Sequence, residues 1–112
     1  MKILLDHNLD WRLKRHLTDH EVKSVLDMEW TLLKNGDLLS EVERAGFGVM
    51  LTSDSSIKYQ QNLSSRSASI IVLRAPNNRL ETHIAMLSEV REALAIIQPG
   101  QLVEVFHSDM KP

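Results

Sequence analysis

Hydrophobic residues are concentrated in five short runs along the chain. Continuous apolar runs of this length are typical of strands buried on both faces, as in a parallel sheet. Two of the runs, Glu21–Leu26 and Leu102–Phe106, also contain polar residues between their apolar ones. We therefore predict β-strands at Lys2–Leu5, Glu21–Leu26, Val49–Leu51, Ala68–Leu73 and Leu102–Phe106.

Between these runs, apolar residues recur every three or four positions, which is the period of a helix with one buried face. Asn8 is placed to cap the first helix, and Asp54-Ser55-Ser56 to open the third. The spacing predicts helices from Leu9 to about Leu17, Asp37 to about Ala45, Asp54 to about Leu63 and about Asn78 to Ile97. Residues 107–112 are predicted to form a flexible tail.

Strands that alternate with helices predict right-handed crossovers and a mostly parallel sheet. The expected fold class is therefore α/β, with a five-stranded sheet covered by helices on both faces. A chain of 112 residues suits one domain. We place that single domain at residues 1–106.

Composition narrows the class of protein further. The chain is 43% hydrophobic and 25% charged, as in ordinary globular proteins. It contains no cysteine, which excludes disulfides and thiolate metal sites and is compatible with a cytoplasmic location. We find no apolar stretch of the length that crosses a bilayer and expect no membrane partner. A net charge of −2 disfavours strong sequence-independent binding to long nucleic acid, but a nuclease with an acidic metal site remains compatible with it.

Two carboxylates follow predicted buried strands. Asp6 comes directly after the first strand, and Asp54 follows the third. Because parallel strands end at the same edge of a sheet, both side chains are expected on the edge where α/β sheets bind ligands. Each of them also precedes a predicted helix, so capping of that helix is the alternative role.

The order of these features resembles that of the small bacterial PIN-like proteins, relatives of the PIN-domain nucleases. The similarity begins with Met1-Lys2-Ile3-Leu4-Leu5-Asp6-x-Asn8-Leu9 and continues with Asp27-Met28-Glu29-Trp30 and an acidic helix start at Asp37. It continues with Thr52-Ser53-Asp54 and with Leu73-Arg74 after an apolar strand, and a long helix and a final strand complete the pattern. The resemblance covers nearly the whole chain and implies a three-layer PIN-like fold.

The resemblance also implies a function, which is metal-dependent cleavage of single-stranded RNA. It implies Mg²⁺ or Mn²⁺ as cofactor, bound by Asp6, Asp37, Asp54 and Glu41, of which the three aspartates are the catalytic residues. Substrate contacts are expected at Asn8, Thr52, Ser56 and Arg12. Toxins of toxin–antitoxin pairs are well-known PIN proteins, so the resemblance implies an antitoxin-like partner. A second copy of the chain is also expected, with the long fourth helix as the candidate dimer face.

Departures from the family pattern keep two alternatives open. His7 stands where the family usually has Glu, and Ser56-Ile57 where it usually has Asp-Phe. One alternative is therefore a catalytically weakened PIN-like domain that binds protein or RNA. The other is a receiver-like phospho-switch with Asp54 as acceptor, although the first strand ends in one Asp rather than an acidic pair and the last strand has no Lys at its end.

Overall fold

A parallel five-stranded sheet forms the centre of the computed structural model, which describes residues 1–57 and 62–111, apart from the side chain of Asn35. The strand order is β2-β1-β3-β4-β5, and every neighbouring pair is parallel. The strands are β1 (Lys2–Leu5), β2 (Glu21–Ser24), β3 (Val49–Thr52), β4 (Ser69–Arg74) and β5 (Leu102–Phe106). The predicted α/β class and parallel sheet are confirmed.

Helices cover both faces of this sheet. Three α-helices lie in the described part of the chain, namely α1 (Asn35–Arg44), α2 (Leu80–Ile84) and α3 (Leu87–Ile96). One buried cluster joins α2, α3 and the segment before β2 to one face, and a second cluster joins α1 to the other face. The result is a three-layer α/β arrangement, consistent with the expected PIN-like architecture. No helix in the described segments is long and apolar enough to span a bilayer.

The first predicted helix is wrong in type and in its cap. Instead of an α-helix from Leu9 to Leu17 capped by Asn8, a 3₁₀ helix spans Trp11–His16. Its cap is Asp10, whose carboxylate accepts the backbone N–H of Arg12. The side-chain oxygen of Asn8 instead accepts the backbone N–H of Ser53 at 3.2 Å.

The prediction of one long helix from about Asn78 to Ile97 is also wrong, because the two helices α2 and α3 occupy this segment. Between α2 and α3 the chain turns at Ala85 and Met86, where the Met86 N–H donates to the carbonyl of His83 at 3.0 Å. This bond spans three residues instead of the four of an α-helix, so the helical hydrogen-bond pattern is interrupted at the turn.

Smaller differences concern element ends. Helix α1 begins at Asn35 rather than Asp37, and β2 ends at Ser24. Of the helix predicted from Asp54 to about Leu63, residues 58–61 lie outside the described residues; in the described part Ile57 is helical, whereas residues 54–56 and 62–63 are not. Where the sequence predicts a flexible tail, the chain forms a 3₁₀ helix at Ser108–Met110.

Two glycines with positive φ allow a matched stability test. Gly46 (φ 84°) faces open space, whereas a Cβ at Gly100 (φ 75°) would lie 2.8 Å from the carbonyl oxygen of Leu63 and 3.0 Å from that of Arg66. We expect Gly46→Ala to cost about 1–2 kcal/mol for the left-handed backbone. We expect Gly100→Ala to cost about 2–5 kcal/mol, since crowding against backbone is added. Urea unfolding measures both, and equal losses would contradict the close approach at Gly100.

Candidate functional site

The centre of the sheet contains a topological switch point. After β1 the chain forms β2 on one side of it and later returns to form β3 on the other side. The Asp6 N–H continues the β1–β3 pairing by donating to the Leu51 carbonyl at 2.9 Å. In open α/β sheets the crevice beyond the carboxyl ends of two such strands is the usual ligand site. The carboxyl ends of β1 and β3 are therefore the candidate ligand site.

Asp6 is held rigidly at this edge, with 12% of its side chain exposed. Its Oδ2 accepts the hydroxyl of Thr52 at 2.8 Å, and its Oδ1 accepts the backbone N–H of His7 at 2.8 Å. The His7 Nδ1 atom lies 2.9 Å from the same oxygen. The carboxylate therefore has a fixed position before any ligand arrives.

Thr52 connects the ends of the two strands. It is fully buried, and while its hydroxyl donates to Asp6, it also accepts the backbone N–H of Asp54 at 3.1 Å. A second connection comes from Asn8, whose side-chain oxygen accepts the Ser53 N–H. The segments after β1 and β3 are thereby fixed relative to each other. Thr52 and Asn8 thus position the two strand ends, whereas the sequence predicted substrate contacts for both.

Asp54 lies in the segment after β3. Its Oδ1 accepts two hydrogen bonds from Ser56, one from the backbone N–H at 3.0 Å and one from the hydroxyl at 2.6 Å. Asp6 and Asp54 line one cleft of about 240 Å³, which we call the rim cleft. The other residues of its wall are His7, Asn8, Lys34, Leu38, Met50 and Ile57.

The remaining predicted acidic residues lie elsewhere. Asp37 is exposed in the first turn of α1, and the Glu41 carboxylate lies 2.7 Å from the guanidinium of Arg44. Neither of them lines the rim cleft. Within residues 1–57 and 62–111, no three Asp, Glu, His or Cys side chains form a group that could hold a metal. The predicted set of four acidic ligands is therefore not assembled in the described part of the protein.

Arg12 is engaged with its own helix cap. Its guanidinium donates to both carboxylate oxygens of Asp10, at 3.0 and 2.7 Å. These bonds, together with the Arg12 backbone N–H, lower the pKa of Asp10 to about 2. Arg12 lines a different cleft from the one that contains Asp54, so a direct role at the rim is not supported by its position.

Two polar residues of the rim cleft, His7 and Lys34, were not predicted as site residues. His7 bridges the site, since its Nε2 lies 2.9 Å from the Thr31 carbonyl oxygen while Nδ1 contacts Asp6. Lys34 contributes a positive charge to the wall of the cleft. The only sequence signal for Lys34 is its position directly before a helix. His7 had a clearer signal, because it follows Asp6 at the end of β1.

The donors of the rim cleft suit a hard cation. Carboxylate and amide oxygens are the ligands that Mg²⁺ and Mn²⁺ prefer. Mg²⁺ commonly keeps several waters and binds through one or two carboxylates together with substrate phosphates. Asp6, Asp54 and the nearby Asn8 fit that requirement without a third acidic residue.

The chain matches no model of a known protein family, no curated protein and no solved structure. The similarity to PIN-like proteins therefore rests on the strand-end residues of the chain itself, and membership of that family stays a prediction.

Proposed function

We propose that the protein is a metal-dependent endoribonuclease of the PIN type that cleaves single-stranded RNA. The observation that carries the proposal is the position of Asp6 and Asp54, which are distant in sequence and line one cleft at the switch point of the sheet. Acidic residues from separate segments that meet beyond parallel strands are what a metal-assisted phosphodiester hydrolase requires.

Each residue of the cleft has a role in this proposal. Asp6 and Asp54 hold a Mg²⁺ or Mn²⁺ ion, and Thr52 fixes the distance between their segments through its two hydrogen bonds. A bound ion supplies positive charge beside the phosphate and a water of lowered pKa. Lys34 adds a second positive charge at the wall, where it attracts the RNA backbone. Leu38, Met50 and Ile57 form an apolar floor that limits the access of water.

The resemblance to PIN-like toxins extends the proposal to partners and location. An antitoxin-like protein would restrain the nuclease, and the active species would be a homodimer. Action on cellular RNA places the protein in the cytoplasm. These parts of the proposal rest on the sequence pattern and not on contacts of the rim cleft.

Metal-titrated cleavage of a labelled pool of single-stranded RNA tests the proposal. We expect cleavage that requires Mg²⁺ or Mn²⁺ and stops with a chelator, because two carboxylates alone cannot neutralise the charge on the phosphate. Cleavage that is independent of metal would contradict the proposal.

RNA binding without cleavage would instead support the weakened PIN-like domain. The observation in favour of that alternative is the absence of a third acidic ligand at the rim cleft within the described residues. The receiver-like alternative is favoured by the strand order β2-β1-β3-β4-β5, which doubly wound receiver folds share. In that case Asp54 would accept a phosphoryl group, with Asp6 beside it.

A further inference from the structure

A second, larger cleft adjoins the rim cleft. Its volume is about 470 Å³, and Asp6 and His7 line both clefts. The shared His7 ring is fixed between the Asp6 carboxylate and the Thr31 carbonyl. We call the larger space the Trp11 cleft, after the indole on its wall. A ligand that occupies both clefts would therefore pass directly by the proposed metal ligands.

The wall of the Trp11 cleft combines apolar surface with a few polar groups. Trp11 and Leu26 are 39% and 60% exposed and line this cleft together, so its wall presents two large apolar side chains to solvent. The hydroxyl-bearing residues Ser24 and Thr31 also line the cleft. Its volume and its mixture of an aromatic ring, aliphatic groups and a small number of polar groups are typical of sites for small-molecule ligands.

Positive charge surrounds the indole. The Arg15 guanidinium lies 4.8 Å and the Lys14 ammonium 5.4 Å from the centroid of the Trp11 ring. Lys14 also pairs with Asp27, whereas no salt bridge of Arg15 is found among the described residues. Asp10 is a second acidic residue on this wall, and its charge is neutralised by a bidentate salt bridge with Arg12. Lys14 and Arg15 lie beside the Trp11 ring but outside the lining of the cleft, where they favour a ligand with negative charge next to the indole.

We propose that the Trp11 cleft binds one base of a single-stranded RNA whose neighbouring phosphate lies in the rim cleft. The identity of the substrate rests on the proposed nuclease function, but the base site rests on the Trp11 cleft itself. Bases stack on exposed aromatic side chains with little regard to sequence, and nearby arginines strengthen such contacts. Because Asp6 and His7 line both clefts, a base in one and a phosphate in the other would lie on either side of these two residues.

The fluorescence of Trp11 can report on ligand binding in the Trp11 cleft. The chain has two tryptophans, so replacing Trp30 leaves Trp11 as the single indole. Trp30 packs edge-on against Phe47, with ring centroids 5.9 Å apart, and Trp30→Phe keeps an aromatic ring at that contact. We expect AMP and UMP to quench the emission of this variant in a saturable manner. Ribose 5-phosphate, which lacks a base, is expected to leave the emission unchanged. Quenching of equal strength by ribose 5-phosphate would overturn the base site.

A binding experiment with short RNA tests the size of the effect. In EDTA, where metal-dependent cleavage is suppressed, Trp11→Leu is expected to weaken the affinity for a labelled single-stranded RNA by roughly fivefold to a hundredfold, the range set by base–aromatic stacking. Ile96→Ser is the matched control, because Ile96 is 76% exposed and lines a separate cleft beside β5. Its affinity for RNA is expected to equal that of the wild type. Equal affinity of Trp11→Leu and wild type would overturn the proposal.

The two proposals fail in distinguishable ways. Base-dependent quenching without metal-dependent cleavage supports the base site and contradicts the nuclease. Cleavage without base-dependent quenching supports the nuclease and contradicts the base site. A change in Trp11 emission that follows protein concentration in the absence of nucleotide would identify the cleft as a contact between copies of the chain, which would also overturn the base site.

Discussion

Asp54→Asn is expected to lower the rate of metal-dependent RNA cleavage by about a hundredfold or more and to leave the fold unchanged. Asparagine has the same shape and retains an oxygen for the two hydrogen bonds from Ser56. It lacks the negative charge that holds the cation, and metal stabilisation of the transition state is worth several kcal/mol, with each 1.36 kcal/mol equal to a factor of ten. Single-turnover cleavage at saturating Mn²⁺ measures the loss.

The matched control is Asp109→Asn, the same chemical change at a side chain that is 73% exposed in the C-terminal 3₁₀ helix. We expect this variant to retain the full rate, and both variants to unfold within about 0.5 kcal/mol of the wild type. Cleavage that survives Asp54→Asn would belong to another site or to a contaminant. Uptake of phosphate by Asp54 from a small phosphodonor, without cleavage, would favour the phospho-switch.

His83→Leu is expected to stabilise the protein by about 1–3 kcal/mol. His83 lies in α2 and is 1% exposed, and neither ring nitrogen has a hydrogen-bond partner within the described residues. A buried polar group without a partner costs free energy that an apolar side chain of similar size does not. Urea unfolding at neutral pH measures the gain. The control, His16→Leu, changes an exposed histidine and is expected to shift stability by less than about 0.5 kcal/mol.

The same histidine makes stability depend on pH. Burial, and to a smaller extent the charge of His107, lowers the pKa of His83 below its ordinary value of 6.5. In the unfolded chain the imidazole takes up a proton near that ordinary value, whereas in the folded protein it does so only at lower pH. The unfolded state therefore binds more protons in this interval, and stability falls as the pH drops below about 6.5.

We expect the difference in stability between His83→Leu and wild type to grow between about pH 7.5 and about pH 5.5, since the other histidines are common to both proteins. Urea unfolding at the two pH values gives the difference directly. A difference that stays constant with pH, or a variant less stable than the wild type at both values, would show that His83 has a partner in solution.

The sheet could be predicted because the sequence of a strand that is buried on both faces is a continuous apolar run. Runs such as Ile3-Leu4-Leu5 and Ile70-Ile71-Val72 are apolar on both faces, which only a covered parallel sheet accommodates. Helix type and continuity were not predictable in the same way. Leu9, Leu13 and Leu17 are all buried, as the helical period predicts. The period does not show, however, that the Asn8 side chain accepts a hydrogen bond from Ser53 instead of capping the helix.

The candidate site was predictable to the extent that it depends on strand ends. Asp6 and Asp54 meet at one cleft because β1 and β3 are neighbours, and the alternation of elements suggests such an edge. Asp37 and Glu41 depend instead on where α1 begins and how it is rotated against the sheet, which tertiary packing decides. Lys34 and one wall of the Trp11 cleft, formed by Val25, Leu26 and Thr31, arise from the connection between β2 and α1, whose path no local pattern specifies.

The pairing of β1 with β3 also affects when the site exists during synthesis. Ile3 pairs with Val49, so the two halves of the rim cleft meet only after the chain has closed a loop that includes β2 and α1. Contacts of such separation form late compared with local helices. A ribosome-bound chain that has emerged only as far as β2 contains Asp6 but not Thr52 or Asp54. The growing polypeptide therefore stays without its acidic cleft until the third strand has left the exit tunnel.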